Sequence, residues 1–400
     1  MNEATQDLFY PMPRNAPFNP PAPYDRLRRD EPFARVRLWD GTRPFLLTNY
    51  ADIRVVLTHP RFSCEPNREG FPHVLEGRMV ADKADRSFLR LDPPEHDRLR
   101  RMVTKEFTVK KIEAISPMVH EIIERLIDDY QRMSQGSDFV EHFAAPLPTE
   151  VITFLLGVPY EDHEIFHRAT RIQFGAKSTP AEVRQSLDEL FPYLDALISR
   201  KEKEPKDDVV SRLVHEQLLP GHVDRITLVN IVRLLLSAGH QTTQHMTGLG
   251  VLTLLQHPDQ LAMIKQNPET IPGTVEELLR YSSILHMGAR RVALEDIDVN
   301  GVTVKRGEGV ICSIPAANRD EKMFPDPHRF NIERDAAAHV AFGFGVHQCL
   351  GQVLARAELR IVLGTLFHRL PNLRLAVPFE QLRFREDMFV YGVHELPLAW

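Results

Sequence analysis

The chain has 400 residues, of which 43% are hydrophobic and 26% are charged, and its formal net charge is -6. This balance excludes a disordered or fibrous protein and argues against a surface built throughout for nucleic acid. The three cysteines form no C-x-x-C pair, which excludes a disulfide framework and a cysteine-based metal cluster. Without a signal pattern or an uncharged apolar run of about 18 residues, we expect a cytoplasmic protein that no helix anchors in a membrane.

Small β elements are predicted near both ends of a mainly helical chain. Six prolines in the first 23 residues predict an extended arm on the surface. Hairpin turns are predicted at Asp40-Gly41 and at Asn300-Gly301. Between them the hydrophobic pattern is helical. Because there is no linker or repeat, we predict one domain over residues 1–400, mainly α with small β-sheets (α+β), the sheets lying near 33–50 and 290–315.

The longest predicted helix runs from a cap at Asp224 to a stop at Pro258. Its flanks are apolar almost all round, which predicts burial, yet residues 239–243 place polar groups in its middle. Two interpretations stay open. In the first, threonine hydroxyls bond back to carbonyls one turn earlier and bend the helix. In the second, the segment faces a ligand, with Gly239 admitting a flat group and Thr242 offering a hydroxyl.

Cys349 ends the glycine-containing loop AFGFGVHQCLG, which leads into a predicted helix from Leu350 to Leu370. A sulfur at a helix N-terminus favours the thiolate, the form that binds metals. Position alone equally allows an inert buried cysteine. Cys312, inside an apolar strand, and Cys64 fit that inert role better.

The segment FGFGVHQCLG over residues 342–351 matches F-x-x-G-x-[HR]-x-C-x-G and resembles the haem-thiolate signature of the cytochrome P-450 family. AGHQTT at 238–243 resembles the family's oxygen-binding stretch. ELLR at 277–280 and PDPHRF at 325–330 resemble the two segments of its E-x-x-R ion cluster. The resemblance runs from about residue 15 to the C-terminus and is closest to soluble bacterial members. It implies the cytochrome P-450 fold, with haem b between the long central helix and the helix after the cysteine.

The resemblance implies a role for each matching residue. Cys349 is the expected iron ligand. The residues expected to hold the haem and its propionates are His96, Arg100, Ala238, Gly239, Arg291, Phe342, Gly343, His347 and Gly351. Those expected to activate oxygen and deliver protons are Gln241, Thr242 and Thr243. The residue before the first threonine is commonly acidic in the family, so Gln241 is a departure that leaves proton delivery to water, to Thr243 or to His240.

Glu277 has two interpretations. It completes a capping box with Thr274, three residues earlier. Alternatively, by resemblance, Glu277, Arg280 and Arg329 form a buried ionic triad that holds the cysteine loop in place. The presence of the partner segment at 325–330 favours the triad, and the role is structural in either case.

The implied function is that of a haem-dependent monooxygenase of secondary metabolism. It inserts one atom of O₂ into a lipophilic small organic substrate, by hydroxylation or epoxidation. The expected substrate pocket consists of Phe174, Leu236, Leu285, Met287 and Phe389. The expected protein is a monomer that binds neither nucleic acid nor a membrane.

Electrons are expected from a separate ferredoxin or flavodoxin with its reductase, because the chain has no G-x-G-x-x-G loop. Basic residues near the expected cysteine side offer a docking site for such an acidic partner, or else a solvated helix face. They are Arg98, Arg101, Lys105, Lys110 and Lys111.

Two other functions are considered. EPKDDVVSRL, LLQHPDQL and the loop after Arg61 also resemble fungal haem-thiolate nitric oxide reductases, which take electrons directly from NADH. That loop is mixed in charge, which suits a nucleotide less well, and the Thr242-Thr243 pair favours oxygen activation. The third possibility is a non-catalytic haem-binding sensor, but the chain leaves no residues for an output module.

Overall fold

The computed structural model describes residues 8–14 and 16–400. The α-helices are α1 (Pro23–Asp30), α2 (Tyr50–Thr58), α3 (Glu76–Ala84), α4 (Glu95–Thr104), α5 (Val109–Gln131), α6 (Pro146–Leu156), α7 (His163–Phe174), α8 (Pro180–Lys203), α9 (Val209–Leu213), α10 (Arg225–Leu255), α11 (Pro258–Gln266), α12 (Ile271–Ser282), α13 (Ile314–Ala317) and α14 (Gln352–Arg369). The strands are β1 (Phe33–Arg35), β2 (Phe45–Leu47), β3 (Phe62–Ser63), β4 (Ala289–Ala293), β5 (Ile297–Val299), β6 (Val302–Val304), β7 (Gly309–Cys312), β8 (Arg374–Leu375) and β9 (Leu398–Ala399). The predicted fold class, mainly α with small sheets, is confirmed.

Both predicted hairpins are present. β1 and β2 pair antiparallel and belong to a five-stranded sheet of order β1-β2-β7-β4-β3, in which β2 and β7 run parallel. β5 and β6 form a separate hairpin. Its turn residues Asn300 and Gly301 have φ values of 52° and 90°, the left-handed backbone that a tight two-residue hairpin turn requires.

The N-terminal segment packs into the body instead of lying on its surface. The side chains of Tyr10, Met12 and Arg14 are buried, and the Tyr10 N–H donates to the carbonyl of Arg37. The predicted surface arm is therefore wrong for residues 8–14, because this segment inserts apolar side chains into the core. The first seven residues of the predicted arm lie outside the described residues.

The central helix, α10, confirms the longest predicted helix. The Asp224 carboxylate accepts a hydrogen bond from the Thr227 N–H, and the helix ends at Leu255, shortly before Pro258. Its 31 residues span about 46 Å. It packs against α6, α7, α8, α12 and α14, so its two flanks form the middle of the largest apolar core.

The helix after the cysteine loop, α14, packs against α5, α10 and α12. Its buried face carries leucines, such as Leu354, Leu359 and Leu363, and one acidic residue, Glu358. Thus α10, which holds one of the two principal sequence motifs, and α14, which directly follows the other, are neighbours in the core.

Candidate active site

A cavity of about 310 Å³ lies between α10 and the cysteine loop. From α10 it is lined by Ala238, Gly239, Thr242 and Thr243. From the loop and the start of α14 it is lined by Phe342, His347, Cys349 and Gly351. The structure therefore brings the two motifs to one cavity, whose remaining wall is mostly apolar.

The cysteine loop is closed by a hydrogen bond of 2.8 Å from the Cys349 N–H to the carbonyl of Phe342. Gly343 and Gly345 have φ values of 72° and 75°, which only glycine adopts without strain. Burial raises the pKa of the Cys349 thiol and outweighs the opposing effect of the Gly351 N–H. In the protein alone, burial therefore outweighs the effect that we expected from the helix N-terminus. A metal cation at the sulfur would supply the missing positive charge.

The cavity fits a cofactor with acidic side groups. Apart from its two chain neighbours, no atom of the described residues lies within 4 Å of the position that a Cβ on Gly351 would take, so this glycine leaves space beside the cysteine. Arg100 lines the cavity and donates to the carbonyl of Gln348 at 2.5 Å. His96, four residues earlier on α4, has its Nδ1 2.7 Å from the Asp97 carboxylate, whereas its buried Nε2 has no partner in the described chain. An anionic oxygen would accept from the Arg100 guanidinium, and it would also accept from Nε2 of His96 when that ring is protonated.

His347 lies at this end of the cavity, and Arg291 lies behind it. The rings of His96 and His347 lie 4.2 Å apart. Burial, followed by the positive charge of Arg291, lowers the pKa of His347 to about 2. Arg291 itself is buried on β4 and donates to the carbonyl of Arg290, and its side chain is not part of the cavity wall.

Cys64 lies closer to the site than its sequence context suggested. Its sulfur is 3.3 Å from Nε2 of His347, and it donates to the carbonyls of Leu89 and Leu91. Burial raises the pKa of Cys64 to about 12, so it remains a neutral thiol. Cys312 is fully buried on β7, and both cysteines act as packing residues.

Thr242 and Gly239 bear on the two interpretations of the polar residues in the middle of α10. The Thr242 hydroxyl donates to the carbonyl of Ala238 at 2.8 Å, and the same side chain lines the cavity. Gly239 also lines it, but its missing side chain has a second reason. A Cβ there would stand 2.8 Å from the side chain of Ile152, so the glycine lets α6 and α10 pack closely.

The two residues between Gly239 and Thr242 turn away from the cavity. Gln241 is buried, its Oε1 has no partner in the described chain, and it is absent from the cavity wall. His240 stacks on His167 with ring centroids 4.6 Å apart, and its Nδ1 is 2.7 Å from the carbonyl of Leu236. Burial lowers the pKa of His240 to about 3. His240 is therefore neutral and poorly placed to deliver protons.

Comparisons with known proteins decide the family. The family model for cytochrome P450 matches residues 181–372. Cytochrome P450-SU2 of Streptomyces griseolus is 49% identical over 96% of this chain and 94% of its own length. Pentalenic acid synthase of Streptomyces avermitilis is 44% identical over 98% of this chain and 97% of its own. The crystal structure of the mycinamicin VIII C21 methyl hydroxylase MycCI from Micromonospora griseorubida, at 39% identity, covers 98% of this chain and 100% of its own with a TM-score of 0.93.

The chain belongs to the cytochrome P450 family. It is therefore a P450 monooxygenase with haem as its cofactor, held in this family by a cysteine thiolate. No helix in the described part of the chain has the length and apolar character needed to cross a membrane.

The ion cluster of this P450 differs from the expected triad. Arg280 and Glu277 form a bidentate pair at 2.7 and 2.8 Å, and both side chains are completely buried. The third member is Arg334, whose Nε lies 3.3 Å from the Glu277 carboxylate. The prediction of Arg329 is wrong: its side chain is exposed, and it meets the pair through its backbone carbonyl, 3.4 Å from Arg280.

The capping-box interpretation of Glu277 is also wrong. α12 begins at Ile271, so Thr274 lies inside the helix and its hydroxyl donates to the carbonyl of Thr270 at 2.9 Å. Glu277 is therefore in the helix interior and available for the ion pair.

A second ion cluster, which was not predicted from the sequence, connects the two ends of the cysteine loop. Glu276 accepts hydrogen bonds from Arg356 on α14 at 2.7 and 2.8 Å and lies 3.1 Å from His339, just before the loop. Burial raises the pKa of Glu276, but these two partners together lower it to about 2. The Arg356 guanidinium also lies 4.5 Å from the centre of the Phe342 ring. The one sign of this second cluster in the sequence was the glutamate directly before Glu277.

One of the five predicted substrate-pocket residues, Leu285, lines the described cavity. Leu236 is buried in the main core because it lies roughly 200° around α10 from Ala238. Met287 packs in the core beneath the N-terminal segment. Phe174 and Phe389 stack on each other at 6.0 Å, outside the cavity wall. The wall residues that were not predicted include Phe88, Leu89, Ile152, Met246 and Ile284.

Proposed function

We propose that this P450 hydroxylates or epoxidises a lipophilic small organic molecule, with Cys349 as the iron ligand. The observation that carries the proposal is that the Cys349 sulfur and the Thr242 hydroxyl line one cavity with a mostly apolar wall. The haem, when bound, supplies the oxygen chemistry, while the protein supplies the ligand, the protons and the position of the substrate.

We assign the haem carboxylates to the end of the cavity at which Arg100, His96 and His347 lie. Arg100 offers a guanidinium, and His96 and His347 offer ring nitrogens in the same region. Arg291 adds a buried positive charge behind His347. Phe342 and Gly343 shape the loop around the sulfur, while Ala238, Gly239 and Gly351 leave space for the ring system.

Thr242 is positioned to hold a water molecule in the cavity. Its hydroxyl proton is directed to the carbonyl of Ala238, so the lone pairs of Oγ1 remain free to accept a hydrogen bond from that water. A water held in this way passes protons into the cavity. Gln241, which does not titrate and faces away, does not supply them.

We propose that a ferredoxin or flavodoxin delivers the electrons at the surface of α4 and the start of α5. The charge there is weaker than the sequence suggested: Arg98 pairs with Glu95, and Lys105 pairs with Glu216. Lys110 and Arg101 are exposed, and Val346 of the cysteine loop is 49% exposed, which adds an apolar contact. The proposed docking surface thus combines a modest charge with an exposed apolar side chain.

The rate of reduction by ferredoxin, measured against ionic strength, tests this docking surface. We expect the rate to fall as salt rises and to fall further in Lys110→Glu. The matched control is Lys305→Glu, on the β5–β6 hairpin. A rate independent of salt, or equal losses in the two variants, would contradict the proposed surface.

The nitric oxide reductase alternative requires a site for NADH. A cleft of about 530 Å³ lies beside residues 66–73, but two of its arginines, Arg35 and Arg68, are paired with Glu308 and Glu65. This cleft is therefore less suited to a nucleotide. Anaerobic mixing with NADH and nitric oxide is expected to give no nitrous oxide.

We further propose that the protein is a cytoplasmic monomer. Cys64, Cys312 and Cys349 are all unpaired in the structure, which suits a reducing compartment.

The proposed reaction is tested in two steps. Lipophilic compounds are first screened for those that shift the absorption spectrum of the haem-loaded protein. Each hit is then incubated with isotopically labelled O₂, ferredoxin, reductase and NADPH. We expect a product that contains one labelled oxygen atom, and a product without the label would contradict the proposal.

A further inference from the structure

The Cys64 thiol is a buried group that contacts a residue of the cavity wall. Its side chain is 2% exposed and does not itself line the cavity. Its sulfur lies 3.3 Å from Nε2 of His347, which lines the cavity and comes 283 residues later in the chain. Nothing in the sequence around Cys64 predicted this contact, which the fold creates.

The position of the Cys64 sulfur is fixed by its surroundings. Cys64 directly follows β3, whose Ser63 pairs with Val292 on β4. The Cys64 N–H donates to the Asp92 carboxylate at 2.9 Å, and the sulfur lies 3.3 Å from the carbonyl oxygen of Leu91. The thiol is therefore a fixed point against which a neighbouring ring can be oriented.

The ring of His347 has few other contacts that set its orientation. It lies on the cysteine loop, which turns at two glycines with left-handed backbone, and the preceding residue, Val346, is half exposed. Apart from the Cys64 contact, the ring packs on that of His96, with the ring centres 4.2 Å apart. In the described part of the chain, no hydrogen bond engages the other ring nitrogen of His347, Nδ1.

The contact at Nε2 determines which nitrogen of His347 is left for a ligand. The two nitrogens of an imidazole are distinct and point in divergent directions, so a ring held against the sulfur by Nε2 has Nδ1 free. His347 lines the cavity and Cys64 does not, so Nδ1 is the nitrogen that remains for a group inside the cavity. Because a thiol is both a weak donor and a weak acceptor, the contact at Nε2 forms whichever of the two atoms carries the proton.

We propose that Cys64 is a positioning residue for the haem: its thiol holds the ring of His347 so that Nδ1 faces a haem carboxylate. This role rests on the proposed function, which assigns the haem carboxylates to the end of the cavity at which His347 lies. Cys64 acts only through the ring of His347, because its own side chain is not part of the cavity wall. Loss of the thiol therefore weakens the hold on the haem without changing the iron ligand.

The rate at which the haem-loaded protein loses haem to an excess of apomyoglobin tests this role. Cys64→Ala is expected to speed haem loss by about two- to tenfold. Cys64→Ser is expected to keep most of the original slow rate, because a hydroxyl also donates and accepts at Nε2. The matched control is Cys312→Ala, which removes a similarly buried sulfur from β7 and is expected to leave the rate unchanged. An unchanged rate in Cys64→Ala, or equal acceleration in the two alanine variants, would overturn the proposal.

A double-mutant cycle with His347→Ala tests whether Cys64 acts through the ring. His347→Ala alone is expected to speed haem loss more than Cys64→Ala does, and adding Cys64→Ala to it is expected to have no further effect. Undiminished acceleration by Cys64→Ala in the His347→Ala background would overturn this proposal and leave the proposed function intact. An unchanged rate in His347→Ala alone would overturn both this proposal and the assignment of the haem carboxylates.

Discussion

Arg356 donates two hydrogen bonds to Glu276, at 2.7 and 2.8 Å, and thereby ties the helix that follows the cysteine to α12. The same carboxylate lies 3.1 Å from His339, which precedes the cysteine loop. One side chain thus anchors the chain on both sides of Cys349.

This anchor predicts a specific loss of stability in acid. The pKa of Glu276 is lowered in the folded protein from its usual 4.5 to about 2, so its contribution is complete above pH 4.5 and disappears as the pH falls toward 2. We expect Glu276→Gln to flatten the dependence of the unfolding free energy on pH in this range. The exposed Glu269→Gln is the control and is expected to keep the full dependence. An unchanged profile in Glu276→Gln would contradict the role of this anchor.

The buried pair of Glu277 and Arg280 predicts a large loss of stability when either partner is removed. Arg280→Ala leaves the Glu277 charge buried without its bidentate partner, which costs about 3–5 kcal/mol. Unfolding of the haem-loaded protein by urea measures this loss, and the haem content at equal protein concentration shows whether the cysteine loop is still formed.

The identity of the third arginine predicts a difference between two neighbouring variants. Arg334→Ala removes a side chain that contacts Glu277, whereas Arg329→Ala removes an exposed side chain. We expect Arg329→Ala to change the unfolding free energy by no more than about 0.5 kcal/mol and Arg334→Ala to cost clearly more. Equal losses of unfolding free energy in the two variants would mean that the Arg329 side chain belongs to the ion cluster.

The contact between α6 and α10 predicts the effect of a methyl group at Gly239. Gly239→Ala forces its Cβ to 2.8 Å from Ile152 and is expected to cost about 1–3 kcal/mol. Gly248→Ala on the same helix makes ordinary contacts, the nearest at 3.5 Å, and is expected to be tolerated. Adding Ile152→Ala should make the substitution at 239 less costly than it is alone. Purely additive losses in this double-mutant cycle would argue against the contact.

The glutamine at position 241 predicts that an acid there improves proton delivery. Gln241→Glu places a carboxyl group beside Thr242, in a buried position where it keeps its proton. Because the side chain at 241 faces away from the cavity, this acid would act through water held at Thr242, and with that relay we expect less hydrogen peroxide per electron consumed and faster turnover. Unchanged turnover together with unchanged peroxide leakage would count against this view of Gln241.

Local sequence was sufficient to predict the helices and turns. Asp224 caps α10, and Asn300-Gly301 forms the hairpin turn, because each of these features depends on a few adjacent residues. The two motifs that line the cavity were also predictable from contiguous residues. The position of Leu236, in contrast, depends on how α10 is rotated in the core, which the apolar pattern on all its faces does not specify.

The residues that the sequence did not reveal depend on contacts between distant segments. Arg334 contacts Glu277 while the Arg329 side chain is exposed, and the path of the backbone between them is not written in a short sequence pattern. The burial of Glu358 follows from the packing of one face of α14 against α10 and α12. No short sequence pattern marks an acid that is left there without a hydrogen-bond partner for its Oε2.

The most direct test of the central claim is the carbon monoxide spectrum of the reduced, haem-loaded protein. With Cys349 as the iron ligand, we predict the red-shifted Soret band of a thiolate-ligated haem, its loss in Cys349→Ser and its retention in Cys64→Ser. A band typical of histidine-ligated haem, or a red-shifted band that persists in Cys349→Ser, would contradict the assignment of the ligand.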